Sequence, residues 1–297
     1  LPDLQPNSPA IRQKYGEKCA AAVGLQPTTS KSDRLLATPN QQNQYRQMRS
    51  LRFYTPQPLE PGAELMLEAA LGRRLSQVLR LKADAQIGLF NGDGRDYTAS
   101  ILDIRPHHCL VHLGAAGALE PRPRLDIHLG IGISKGDRMD LALQKATELG
   151  VGHVSPLLCQ HQALRLDRER LAKRYDHWRS ILISASEQSG RCRLPGLEPA
   201  QPLCAWITQD TQSVCLLLDP ASGHCLDEIR PPLPGQELRL LIGPEGGLSQ
   251  QEITQALGLG FQAVRLGPRI LRTETAPLAA LAAMQMLWGD FSLQYRP

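Results

Sequence analysis

The sequence predicts an α/β protein, a mostly parallel sheet with helices on both faces, preceded by a smaller β-rich domain. Three observations carry this expectation. From Leu125 onward, apolar strand-like runs alternate with helical segments. Two of these runs, Leu238–Gly247 ("LRLLIGPEGG") and Val264–Ala276 ("VRLGPRILRTETA"), end in a glycine–proline loop and lead into a helix. Strand, loop and helix used twice is how an open sheet builds a ligand cleft beyond the carboxyl ends of its strands. Residues 49–113, by contrast, read as short strands around one helix.

Residues 1–47 are polar, rich in Gln, Asn, Ser, Thr and Pro, and show no sustained period. They are expected to be a disordered or non-native extension, with Met48 as the natural start. This stretch holds six Lys/Arg against three Asp/Glu, so it carries +3 of the chain's formal +4 and leaves the body near +1. Any footprint for a polyanion must therefore be local.

In the next segment "QIGLF", "YTASILDI" and "CLVHL" are strand-like, and "NGDG" (Asn91–Gly94) is a hairpin turn signal. A helix is expected over Glu68–Lys82, with Leu71, Leu75, Val78 and Leu79 on one face. Arg49, Arg52, Phe53 and Tyr54 group guanidinium ions with rings, and Arg73 and Arg74 add charge, a combination that suits phosphates and unstacked bases. "GAAGALEPRPR" (Gly114–Arg124) marks the boundary between domains set at 48–118 and 122–293.

Beyond it, "LDIHLGIGI" and "HVSPLLC" are strands, each followed by a helix, and "SVCLLLD", "LRLLIG" and "AVRLG" are further strands. The glycines at 130, 132 and 136 are spaced one residue too long for a dinucleotide fingerprint. Lys135 and Arg138 are instead expected to face RNA phosphate or a dimer partner. Neither C-terminal glycine loop carries the Gly-Lys-Ser/Thr of a phosphate-binding loop, which suits a nucleoside held by backbone groups. Gly246 and Gly247, without Cβ atoms, would let the backbone approach a flat base or ribose. Ser249 and Glu252 have capping-box spacing and are read as structural.

Composition narrows the classes further. No apolar run is long enough to span a membrane, and residues 1–47 lack a secretory core, so a soluble cytoplasmic protein is expected. Seven scattered cysteines without a C-x-x-C pair read as reduced thiols. The segment "HHCLVH" (His107–His112), as a strand, would split its ligands between two faces, so no metal is expected.

"LLIGPEGGLSQQEI" and "LGPRILRTETAPLAALAAMQ" resemble the cofactor site of the SPOUT methyltransferases, and "KGDRMDLALQKATELGV" and "SASEQSGRCRLP" agree. The closest resemblance is to the bacterial family that methylates uracil N-3 in 16S ribosomal RNA, over roughly Met48 to Phe291. That resemblance implies a PUA-like N-terminal domain, a knotted parallel sheet and a homodimer with the site near the interface. It also implies S-adenosylmethionine as cofactor and small-subunit ribosomal RNA as partner. Because a body of net charge near +1 would hold free RNA only modestly, an assembled or nearly assembled 30S particle is the expected form of that partner. Matched residue by residue, it assigns the cofactor to Leu218, Ile242, Gly243, Gly246, Gly247, Leu266, Ile270, Leu271, Arg272 and Thr273.

A carboxylate could take the uracil N-3 proton as general base, or a guanidinium could stabilise the anion spread over the carbonyl oxygens, and Arg191, Arg272 and Glu274 are the catalytic candidates. Glu187 and Gln188 are expected to orient the base or the neighbouring subunit, and Arg193 to face RNA. The apolar stretch Pro277–Trp288 suits either the subunit core or a partner surface. Two other readings remain: a SPOUT ribose 2′-O-methyltransferase of transfer or ribosomal RNA, and a non-catalytic ribosome assembly factor that binds RNA.

Overall fold

The computed structural model describes residues 51–162, 167–209 and 212–291. The expectations for residues 1–47 and for Arg49 lie outside them.

The first sheet has five strands in the order β1-β3-β4-β5-β2, with β1 Arg52–Tyr54, β2 Glu64–Met66, β3 Gln86–Phe90, β4 Tyr97–Arg105 and β5 His108–Ala116. β3, β4 and β5 form antiparallel hairpins, whereas β1 pairs with β3 in parallel. The turn signal at Asn91–Gly94 lies in the β3–β4 connection, where Gly92 and Gly94 both have φ of 95°. Along β5, Cys109, Val111 and Leu113 point inward, while His112 is exposed on the opposite face. The histidines and the cysteine of this stretch thus face different ways, as period two requires.

The helix before β3 departs from the expected pattern. α1, Ala69–Arg73, passes into a π-helical turn over Arg74–Val78 and stops short of Lys82. Leu75 is fully buried, but Val78 is 72% exposed and Leu79 36% exposed. A π turn holds more residues than an α turn, so the apolar stripe slips round the axis and its last two members leave the core. The positive φ of Arg80 (54°) then ends the segment.

The second sheet is parallel throughout, in the order β12-β10-β11-β6-β7-β8, with β9 also pairing with β7. Its strands are β6 Asp126–Gly132, β7 His153–Leu158, β8 Gly196–Leu197, β9 Gln201–Pro202, β10 Val214–Leu218, β11 Glu237–Ile242 and β12 Gln262–Val264. The helices are α2 Asp137–Glu148, α3 Arg168–Ser189, α4 Leu203–Ile207, α5 Gln250–Gly258 and α6 Thr275–Trp288.

Two cores sandwich this sheet. Leu216 and Leu240 face the cluster made with Met139, Leu143, Trp178, Leu281 and Met284 of α2, α3 and α6. Their neighbours Leu217 and Leu241 face Leu203, Trp206, Ala256 and Phe261 of α4, α5 and the turn after it. Alternation within strands buried on both faces leaves no polar side, which explains their continuous apolar runs.

Candidate functional site

β10, β11 and β12 lie side by side and end together, so the loops after Leu218, Ile242 and Val264 converge at one edge of the sheet. Between them is a cleft of about 560 Å³, within the size range of small-molecule sites. Of the residues assigned to the cofactor, Leu218, Ile242, Gly243, Gly247, Leu266 and Ile270–Thr273 line it. Gly246 is not among the lining residues.

The glycines have reasons internal to the protein. A Cβ on Gly246 would lie 2.6 Å from the carbonyl oxygen of His161, whereas one on Gly247 would meet nothing. Gly247 is required instead by its φ of 70°, in the left-handed region. Behind this loop, Ser249 and Glu252 form the expected reciprocal capping box at the start of α5. The other oxygen of the buried Glu252 accepts from the Gln160 backbone N–H at 2.8 Å, tying α5 to the loop after β7.

Charge gathers at the mouth. Glu245 accepts the Lys135 N–H at 2.9 Å and pairs with Arg138 at 3.4 Å, so the loop after β6 is fastened to the loop after β11. Burial works against the charge of Glu245. The backbone N–H groups of Lys135 and of Glu245 itself, together with Arg138 and Ser134, outweigh burial and hold its carboxyl below the usual range. Arg272 is 81% exposed and stands 4.0 Å from Glu274, whose side chain is only 14% exposed. That separation exceeds a hydrogen bond, so the Glu274 carboxylate is not used up by the arginine beside it.

Several residues expected to act here stand elsewhere. Arg191 does not line the cleft. It borders a second cavity of about 250 Å³ between Glu120, Glu148 and Gln285, and its Nη1 donates to the carbonyls of Thr147 (2.9 Å) and Val151 (2.8 Å). Its guanidinium therefore braces the end of α2, and burial pushes its pKa down. Arg193 borders the same cavity.

Arg52 and Phe53 are buried, not offered to a ligand. Arg52 holds Asp96 at 2.7 Å and donates to the carbonyls of Ser186, Glu187 and Arg191. Phe53 belongs to the core of the first sheet, where an aromatic ring is worth more than on the surface. Arg74 pairs with Glu187 at 2.8 Å and lies over the Phe53 ring, while Glu187 also accepts the Tyr54 N–H. These groups fasten the first sheet to the C-terminal end of α3. Arg73, beside His107, remains exposed, as do Lys135 and Arg138.

Asp219, Glu245, Arg265 and Arg269 line the cleft as well and were not singled out from sequence. The available signal was positional, since each lies within a few residues of the end of β10, β11 or β12.

The RNA methyltransferase domain family matches residues 120–285, and the RNA methyltransferase PUA domain family matches residues 75–113. The chain is 31% identical over 242 residues to ribosomal RNA small subunit methyltransferase E of Buchnera aphidicola subsp. Schizaphis graminum, covering 81% of this chain and 98% of that protein. A ribosomal RNA small subunit methyltransferase E from Neisseria gonorrhoeae, solved bound to S-adenosyl methionine, is 39% identical with a TM-score of 0.76. That match covers 82% of this chain and 100% of the other. A putative methyltransferase from Legionella pneumophila, solved with the bound cofactor SAM, is 37% identical with a TM-score of 0.78, covering 82% and 99%.

Proposed function

This chain belongs to the RNA methyltransferase family, in the group named ribosomal RNA small subunit methyltransferase E, and from that premise we propose its reaction. It is an S-adenosylmethionine-dependent methyltransferase that acts on N-3 of a specific uridine in 16S ribosomal RNA. The observation that carries this reading is the cleft at the ends of β10, β11 and β12, in a chain 37–39% identical to proteins solved with that cofactor.

The residues present suit the cofactor. Leu218, Ile242, Leu266 and Leu271 offer aliphatic surface to a flat base, and Asp219 and Glu245 offer carboxylates to hydroxyl or ammonium groups. When bound, S-adenosylmethionine supplies an electrophilic methyl group on a sulfonium. Transfer of that methyl to N-3 would leave the sulfur–methyl bonding pair on sulfur, and the N-3 proton would have to pass to a base of this chain. We assign that proton to Glu274, whose carboxylate is largely shielded from water. Arg272 is assigned the charge that spreads over the two flanking carbonyl oxygens. Arg191 acts on this centre at most through α2 and its loop, because its Nη1 is engaged by backbone carbonyls.

The substrate is proposed to be an assembled or nearly assembled 30S particle in the cytoplasm, and the enzyme a homodimer. A body with net charge near +1 supports this, since it would hold naked RNA only modestly. Among the described residues, no helix is long and apolar enough to cross a membrane.

Mass spectrometry of ribosomal RNA nucleosides should find 3-methyluridine with the gene and lose it without. Reverse transcription should stop one nucleotide before the site only when the gene is present, because the methyl blocks the pairing edge. A methylated ribose hydroxyl in place of the base would instead support the 2′-O-methyltransferase reading. Cofactor binding with no transfer to any RNA would support the assembly-factor reading.

A further inference from the structure

The loop between β12 and α6 carries Ile270 to the mouth of the cleft, where it is 84% exposed, more than any other large apolar side chain among the described residues. A single exposed aliphatic group is ordinary on a surface. Its setting here is not, because Arg269 precedes it, Arg272 follows two residues later, and both line the same cleft.

The charges do not match the needs of the cofactor alone. At neutral pH S-adenosylmethionine carries a sulfonium, an ammonium and one carboxylate, so its net charge is positive. Asp219 and Glu245 suit its two cationic groups, Glu274 being kept for the N-3 proton, and its carboxylate needs one cation. Arg138 is held by Glu245 and Arg272 stands near Glu274. Arg265 and Arg269 also line the cleft, and neither side chain makes a hydrogen bond or ion pair with the described residues. Once one of them meets the cofactor carboxylate the other is left for a second anion, and Arg269 is the one beside Ile270. Gly267, with φ of 83°, and Pro268 set the course of the chain just before this tip.

A uridine offering N-3 to the cleft must leave its stack, at a cost of a few kcal/mol. Apolar side chains that enter a vacated step replace part of the lost contact. We propose that Arg269 and Ile270 are RNA-side residues of the cleft, so that the Ile270 side chain, which the resemblance assigned to the cofactor, serves the RNA instead. Arg269 clamps a backbone phosphate beside the target uridine, and Ile270 fills the place the uridine vacates. This inference rests on the RNA methyltransferase reading above.

The test is a size series at position 270 (Ile270→Ala, Ile270→Val, Ile270→Leu and Ile270→Ser), with Arg269→Ala and Arg269→Lys beside it. The substrate is 30S subunits from cells lacking the gene. The single-turnover rate of methyl transfer should rise with apolar side-chain size, with Ile270→Ala and Ile270→Ser at least about tenfold below wild type. Melting temperature, S-adenosylmethionine affinity by calorimetry, and mass by light scattering should match wild type throughout the series. Arg269→Ala should weaken 30S binding and lower its salt slope by about one, with part of the binding recovered in Arg269→Lys.

Wild-type transfer rates in Ile270→Ala, a loss of cofactor affinity, or a change of oligomeric state would overturn the assignment of Ile270. An unchanged salt slope in Arg269→Ala would overturn the phosphate clamp. Wild-type protein that binds the cofactor but methylates no 30S RNA would instead overturn the function on which both rest.

Discussion

Arg52 donates to both oxygens of Asp96 and to three backbone carbonyls, and its guanidinium lies 4.8 Å from the Phe90 ring. Removing it leaves carbonyls and a carboxylate without their donor in a partly dry place. Arg52→Met should therefore cost about 3 kcal/mol in urea unfolding, whereas Arg73→Ala on the exposed surface should stay within about 0.5 kcal/mol. His128 makes a second prediction. Burial pulls its pKa down to about 4, and the nearby Glu237 only partly offsets this. The contact of Nδ1 with Glu237 at 3.4 Å is thus a contact of a neutral ring at pH 7, not an ion pair. A histidine whose folded pKa lies below its unfolded value loses stability as pH falls between the two. Wild type should lose on the order of 1–2 kcal/mol between pH 7 and pH 5, and His128→Gln should flatten that slope in denaturant titrations.

α5 begins with a capping box of Ser249 and Glu252 that follows Leu248, a cleft-lining residue, while neither box residue lines the cleft, and this separates a structural role from a binding one. Ser249→Ala should destabilise by about 1 kcal/mol in thermal or urea unfolding while calorimetry shows nearly unchanged cofactor affinity. α6 poses a different question. Its inner residues Ala280, Leu281 and Met284 are buried, yet Met286 and Leu287 are 56% and 47% exposed, and Phe291 just beyond is 45% exposed. The composition of Pro277–Trp288 left core and partner surface equally open, and the helix has one buried face and one exposed apolar face. If the second face is the proposed dimer interface, Leu287→Glu should shift the mass in light scattering from dimer toward monomer at micromolar concentration. The π turn after α1 is an element that pattern alone missed. Periodicity assumes a constant 3.6 residues per turn, and nothing local in "RLSQV" announces the extra residue.

For the molecule as a whole, charge distribution predicts how ligands respond to salt. Although the body is near +1, arginines gather at the cleft, so binding of the proposed 30S substrate should weaken with ionic strength. Cofactor binding should change little, and calorimetry across a salt series can compare the two.

The sequence by itself determined the strand–helix alternation, the glycine loops beside the cleft, and the Ser249 cap. Each of these rests on neighbours in the chain: a period of two or 3.6, a turn residue, a motif of adjacent positions. Only the tertiary structure decided what Arg52, Phe53, Arg74, Arg191 and Glu187 do. In the sequence they look like ring-and-guanidinium pairs and a charged loop free to meet RNA. In the fold, residues 52 and 186–191 are brought together from more than 130 positions apart, and their charges are spent on backbone carbonyls and on each other. Burial and partnership depend on which distant segments meet, and that information is not local to any stretch of the chain.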